Sequence, residues 1–255
     1  MVLTVNNVVN EVSVSQPLRR NGFTFKQFFV AHDRCAMKVG TDGVLLGAWA
    51  SVEQASCILD IGSGSGLIAL MLAQRTPSSV MIDAAELDLP AAEQAKQNFE
   101  ASPWAKRLNV FAQDINVVAQ THPAQYDLIV SNPPYFESAV TCRDEARNTA
   151  RYTQTLTHSA LLKCAEKLLM SRGVFCVVLP YELGLALESN AHQQGWFTVR
   201  RLAVRDRPGK VLNRLLLALS RQPAEADSHE LDLREREGVY SPAFRALIAD
   251  FYLNY

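Results

Sequence analysis

Leu59-Asp60-Ile61-Gly62-Ser63-Gly64-Ser65-Gly66, "LDIGSGSG", joins an apolar run that begins at Cys57 to a helix-patterned run, "GLIALMLAQRT", that stops before Pro77. Three glycines in five residues mark a turn where the backbone takes left-handed angles or lets a ligand approach closely. A strand, such a turn and then a helix is the opening of a doubly wound α/β sheet. In that sheet the turn sits at the carboxyl ends of the strands, where ligands bind. A dinucleotide fingerprint counted from Gly62 needs glycines at 62, 64 and 67, but position 67 is Leu. Asp60, two residues before the first glycine, is not part of that fingerprint either.

Working outward from the turn, strand and helix periods alternate. "VMIDAAE", "LNVFAQD", "YDLIVSN" and "VFCVVLP" read as further short buried strands. "DLPAAEQAKQNFEAS" is rich in helix formers, with Asp88 suited to the N-cap and Pro90 to the first turn. "THSALLKCAEKLLMSRG" is an amphipathic helix closed by Gly173, and "YELGLALESNAHQQG" is a helix closed by Gly195. "WFTVRRLAV" and "VLNRLLLALS", joined by "RDRPGK", form a hairpin and so bring one antiparallel strand to that end. The expectation is an α/β, Rossmann-like, mostly parallel sheet of seven strands with helices on both faces. "QPAEADSHELDLREREGVYSP" reads as a polar surface segment before a short final helix, "SPAFRALIADFYL".

Bulk properties narrow the class. The chain has 255 residues, 48% hydrophobic and 20% charged, with a formal net charge of −1. That composition suits a globular protein with no global field for nucleic acid or membrane, so any such surface is local. Five cysteines, none in a C-x-x-C pair, argue against a disulfide framework and a zinc site and fit a reducing compartment. Cys57 and Cys176, in apolar runs, read as buried thiols. No apolar stretch is long enough to span a bilayer, and the first residues lack the basic start and apolar block of a secretory signal. Residues 1–18 read as a flexible extension, or, given their valines, as an added edge strand. Residues 19–255 read as one catalytic domain with a cap segment over 19–56. A cytoplasmic monomer is the expectation.

Charge is uneven along the chain. Phe197 to Arg221 holds seven Lys or Arg against the single acid Asp206, while residues 222–255 carry seven acids and three arginines. These runs are either a solvated face or a basic loop facing phosphate beside an acidic surface.

Three acids follow the strands. Asp60 lies beside the glycine turn. Glu86, 26 residues on, stands where a carboxylate can accept from two ribose hydroxyls. Asp114, at the end of the third strand, is suited to accept from an adenine amino group. The fourth strand runs into Asn132-Pro133-Pro134-Tyr135-Phe136, a stiff corner beside the glycine turn. An exocyclic amine on a base is a weak nucleophile because its lone pair is delocalised into the ring. The Asn132 side-chain oxygen and the Pro133 carbonyl can each accept one amino hydrogen, orienting the nitrogen by preorganised electrostatics rather than by a strong base. Tyr135 offers a flat face for the target base, which must be flipped out or already unpaired.

The D-x-G-x-G-x-G turn, Asp60 to Gly66, resembles the cofactor loop of class I S-adenosylmethionine-dependent methyltransferases, whose ligand carries a sulfonium cation that a nearby carboxylate favours. Gly62 and Gly64 then belong to the cofactor site, with Asn132 beside them. The N-P-P-Y motif resembles the amino-methyltransferase group of that fold, whose members methylate adenine N6, cytosine N4, guanine N2 or a glutamine side-chain amide. The stretch from Arg19 to Trp49, "RRNGFTFKQFFVAHDRCAMKVGTDGVLLGAW", with "SPWAKRLNV", "ARYTQTLTH" and "FCVVLP", closely resembles the bacterial tRNA-valine adenine-N6-methyltransferase family, which modifies the adenine just 3′ of the anticodon. This likeness covers nearly all of the chain after residue 18. It implies that Lys38, Thr41 and Asp42 lie near the methionine end of S-adenosylmethionine. It implies that Asp60, Gly62, Glu86 and Asp114 hold the remainder, that Asn132, Pro133 and Tyr135 are catalytic, and that tRNA is the partner.

The residues themselves point the same way. Arg19, Arg20, Lys26, Arg34 and Lys38 alternate with Phe23, Phe25, Phe28 and Phe29, a pattern suited to unpaired nucleotides or to a packed cap over the cofactor. His32 reads as structural. Arg205, Arg207 and Lys210 are candidate phosphate contacts. No metal is called for, since the sulfonium is itself a good leaving group. The competing functions are methylation of a glutamine amide in a protein factor, methylation of another base amine in RNA or DNA, a nicotinamide-dependent oxidoreductase, and a non-catalytic RNA-binding module.

Overall fold

The computed structural model describes residues 21–134 and 157–254. Its centre is a sheet of eight strands: β3 (Cys57–Ile61), β4 (Met81–Ala85), β5 (Leu108–Phe111), β6 (Tyr126–Ser131), β7 (Leu169–Pro180), β8 (Phe197–Arg205), β9 (Leu212–Ser220) and β10 (Asp227–Asp232). The spatial order is β10-β8-β9-β7-β6-β3-β4-β5. All neighbours run parallel except β9, which is antiparallel to both β7 and β8.

The central strands are apolar on both faces, as a sheet covered on both sides requires. Leu128 and Val130 of β6 and Cys176 and Val178 of β7 face one core, together with helices α1 (Thr41–Trp49), α2 (Leu67–Arg75), Phe99 of α3 (Leu89–Glu100), and α7 (Pro242–Ile248). Ile129, Phe175, Val177 and Leu179 face the other, with α4 (Ile115–Thr121), α5 (His158–Leu168) and α6 (Tyr181–Gln193). The Asp88 side chain caps α3 by accepting from the Ala91 amide, with a proline in the first turn, as the sequence predicts. Among the described residues no helix is long and apolar enough to cross a membrane.

Several expectations are corrected. Among the described residues the sheet has eight strands rather than seven, because part of the polar segment after Arg221 forms β10 along the edge of β8. An edge strand needs no apolar face, and of the six residues of β10 only Leu231 is buried. Gly173 does not close α5, which ends at Leu168 and passes directly into β7. Gly173 sits at an irregularity in the β6–β7 ladder, where a Cβ would lie 3.0 Å from the Tyr126 carbonyl oxygen. Its role is close backbone approach. Cys176 is buried, but Cys57 is only partly so; Cys35, Cys57, Cys164 and Cys176 carry free thiols, and Cys142 lies outside the described residues.

Before the sheet, β1 (Gly22–Thr24) and β2 (Phe29–Ala31) form an antiparallel hairpin. Phe23, Phe25 and Phe28 of this hairpin and its turn pack together against the core. Phe25 stacks on Phe28 at 4.6 Å between centroids, Phe23 lies 4.7 Å from Phe25, and Phe28 meets Trp104 edge-on. Phe25 and Phe28 are buried core residues. For these two the packed-cap reading holds and the base-stacking reading does not, because a buried ring has no face left for a nucleotide. His32 is structural, its Nδ1 accepting from the Val39 amide.

Candidate active site

The site grows from the ends of β3, β4 and β6. Gly62, Gly64 and Gly66 all take positive φ, at 70°, 53° and 79°. At Gly66 an added Cβ would strike the Phe99 ring at 2.4 Å, so that glycine is required for packing against α3. At Gly62 and Gly64 a Cβ would meet no heavy atom of the described residues within 4 Å. These two keep the backbone bare on an open side of the turn, which suits close approach of a ligand.

Two carboxylates flank the turn. Glu86, just past β4, accepts from the Gly64 amide (2.8 Å) and from the Asp88 amide (2.9 Å), fixing the turn relative to the start of α3. Asp60, fully buried in β3, accepts from the Ala69 amide through Oδ2 (3.2 Å), while its Oδ1 has no hydrogen-bond partner among the described residues. Burial, with a smaller contribution from the charge of Glu86, pushes the Asp60 carboxyl up to about 7.

The third acid sits differently from its expected place. Strand β5 ends at Phe111, and Asp114 is the N-cap of α4, its Oδ1 accepting from the Asn116 amide and side chain at 2.8 Å each. It remains on the carboxyl side of the sheet.

Asn132 follows β6 at the same edge. Ile61 of β3 is paired in register with Ser131 of β6, and the Ser131 hydroxyl donates to the Ile61 carbonyl at 2.9 Å. The residues that come next on the two strands, Gly62 and Asn132, are thereby brought side by side. Pro133 is buried and Asn132 half-buried. Tyr135, Arg19 and Arg20 lie outside the described residues.

The N-terminal candidates divide. Lys38 and Thr41 are exposed. Asp42, in the first turn of α1, is gripped by Arg214 of β9, whose Nε lies 2.8 Å from both carboxylate oxygens. Arg214 pairs in register with Pro180 at the end of β7, so this ion pair also stands at the carboxyl edge. Sequence reasoning missed Arg214 as a site residue; its signal was one cation inside the otherwise apolar run of β9. Lys26 donates to the Ala249 carbonyl (2.6 Å), and the Arg34 amide donates to Gln94 (2.8 Å).

The basic loop between β8 and β9 lies at the same edge, but its charge is largely answered. Arg205 is bound by Glu230 and Asp232, and Arg207 lies 3.7 Å from Asp206 and 3.8 Å from Glu237. Lys210 is exposed at the tip.

Comparison with known proteins bears on the fold and the family. The methyltransferase small domain family matches residues 39–188. A solved structure from Agrobacterium tumefaciens, described as a predicted O-methyltransferase, superposes with a TM-score of 0.66 over 82% of this chain and 96% of that one; at 18% identity it speaks for the fold alone. The tRNA1(Val) (adenine(37)-N6)-methyltransferases of Yersinia enterocolitica and Yersinia pestis are each 62% identical over 251 residues, 98% of this chain and all of theirs. Likeness that deep from end to end shows membership and not merely a shared scaffold: the chain belongs to the tRNA1(Val) (adenine(37)-N6)-methyltransferase family.

Proposed function

We infer that this chain transfers a methyl group from S-adenosylmethionine to N6 of adenine 37, just 3′ of the anticodon, in a valine tRNA, the reaction for which its family is named. The observation that carries this reading is the pairing of Ile61 with Ser131, which sets the glycine turn and Asn132 next to each other. The residues present fit the cofactor: Asp60 offers a buried carboxylate oxygen in need of a partner, and Gly62 and Gly64 leave the backbone uncovered. Asp60, Gly62, Gly64, Glu86 and Asp114 would hold it, with Lys38, Thr41 and Asp42 toward its methionine end. When bound, it supplies an activated methyl group on a sulfonium centre.

The chain's own part is positioning. The Asn132 amide oxygen and the Pro133 carbonyl accept the two amino hydrogens of the target adenine and aim its nitrogen at the methyl group. The prolines hold both acceptors in one direction. Tyr135 stacks on the base, which leaves the helix stack of the anticodon loop to reach the corner. Arg19, Arg20, Lys26, Arg34 and, from the basic loop, Lys210 contact phosphates. Residues 19–255 act as one unit, and a single copy carries every residue named here. The chain works where tRNA is, in the cytoplasm.

The test is methyl transfer from labelled S-adenosylmethionine into unmodified tRNA, followed by nucleoside analysis. Label in N6-methyladenosine at position 37 of the valine tRNA is expected. Cofactor binding with label in no RNA would move the assignment to a protein amide.

A further inference from the structure

Helix α3 carries two buried amides one turn apart, Gln94 at 2% and Asn98 at 4% exposure. Asn98 Oδ1 accepts from the Ala31 amide (3.0 Å). Its Nδ2 donates to the Ala31 carbonyl and to the Ser65 carbonyl, both at 2.8 Å. Gln94 Oε1 accepts from the Arg34 amide (2.8 Å) and the Cys35 thiol (3.3 Å), and its Nε2 donates to Asp33 Oδ1 (2.9 Å). The two side chains thus hold the cap from Ala31 to Cys35 and, through Ser65, the glycine turn. The neighbouring Phe99 ring closes the same contact against Gly66.

A carboxamide suits this task. It donates from nitrogen and accepts at oxygen at the same time, so one side chain satisfies groups of both kinds on two segments. Buried and away from competing water, such bonds fix distance and direction rather than merely attracting. The two segments that Asn98 joins are the proposed cofactor turn and the strand leading to Arg34 and Lys38, and Gln94 holds the continuation of that strand, Asp33 to Cys35, to the same helix. Nothing else named at the site reaches both.

We propose that Gln94 and Asn98 are positioning residues that couple the glycine turn to the cap, so that cofactor and RNA bind cooperatively. This rests on the function inferred above for the two segments. A cofactor that settles the turn settles Ser65, hence Asn98, hence Ala31 to Cys35, and the RNA-facing cap is then ordered in advance. By linkage, RNA tightens cofactor binding by the same factor.

The test begins without RNA. The amides of Ala31 and Arg34 both donate to these side chains, so their hydrogen exchange reports the tie directly. On adding S-adenosylhomocysteine, exchange at residues 31–35 of the unaltered chain should slow at least about fivefold. In Asn98→Leu it should not change, while residues 62–66 still slow. Gln94→Glu keeps an acceptor for Arg34 but turns a carboxylate toward Asp33, and should also lose the response. Adding Asp33→Asn reverses the donor and acceptor of that bond and should restore it. This pair decides the matter if Asn98→Leu fails to fold. With RNA, S-adenosylhomocysteine should tighten binding of an unmodified tRNA transcript about tenfold in the unaltered chain and less than about threefold in either single variant. A cap that slows equally in every variant, or does not respond in the unaltered chain, overturns the proposal. Absence of tRNA binding throughout would instead overturn the substrate assignment, and the exchange result would still judge the coupling.

Discussion

The two ends of the sheet use polar side chains in opposite ways. Around β3, β4 and α3, Asp60, Glu86, Gln94 and Asn98 are buried and bond chiefly to backbone amides and carbonyls. Around β8 and β10, charged side chains bond to one another: Arg200 with Asp227, Arg205 with Glu230 and Asp232, Arg207 with Glu237, and Arg234 with Asp206. Buried bonds to the backbone are costly to break and leave one geometry. Exposed ion pairs are screened by salt and tolerate several geometries. A similar number of polar contacts therefore gives a preformed site at one end and an adjustable surface at the other.

The comparison breaks most visibly at Asn132. If the preformed end supplies the chemistry, Asn132→Ala should lower turnover about 100-fold or more while cofactor affinity stays within about threefold. Single-turnover kinetics and calorimetry separate the two, and full activity would mean that the corner only shapes the backbone. Next comes pH. The Asp60 carboxyl, raised to about 7, is partly protonated near neutrality. A cationic ligand favours its ionised form, so affinity for S-adenosylmethionine should fall as pH drops below about 7, by up to about tenfold per unit. Titrations at three pH values would show it, and Asp60→Asn should flatten the profile. For folding of the free chain the sign is the reverse. The raised carboxyl favours the fold most at pH below 3.8, its ordinary value, and that advantage is lost as pH rises toward 7.

At the adjustable end the effects are smaller. Lys210→Ala should reduce the slope of log affinity for tRNA against log salt by about one. Arg205→Ala should change that slope little, since its guanidinium is already engaged by two acids. An equal effect of both would mean that RNA displaces the acids of β10. Smallest of all, Glu230→Ala should move the melting midpoint by less than about 3 °C, a difference that vanishes in high salt.

What was legible in the sequence follows the same division. The central strands announce themselves because both their faces are apolar, and Asp60, Glu86 and Asn132 could be found by counting from strand ends. Strand β10 could not, because an edge strand paired through its backbone carries no periodicity, and its acids read as a solvated run. The Asp42–Arg214 pair joins positions 172 residues apart, a distance no local pattern spans. Gln94 and Asn98 look like the wet face of α3; only the arrival of β2 makes that face interior. The interleaved phenylalanines left two readings open because a ring that stacks on a base and a ring that fills a core look alike in sequence.

Strand β10 has one more consequence, for handling the protein. It covers the edge of β8, and its own outer edge carries charge, which discourages another strand from adding there. A chain cut after Arg221 would keep every proposed catalytic residue and still lose that cover, together with Phe244, Ile248 and Phe251 of the core. The unpaired backbone of β8, with Leu202 and Val204 beside it, would become a template for self-association. Trimming the chain there to obtain a minimal catalytic fragment is therefore expected to yield aggregate, which light scattering would detect.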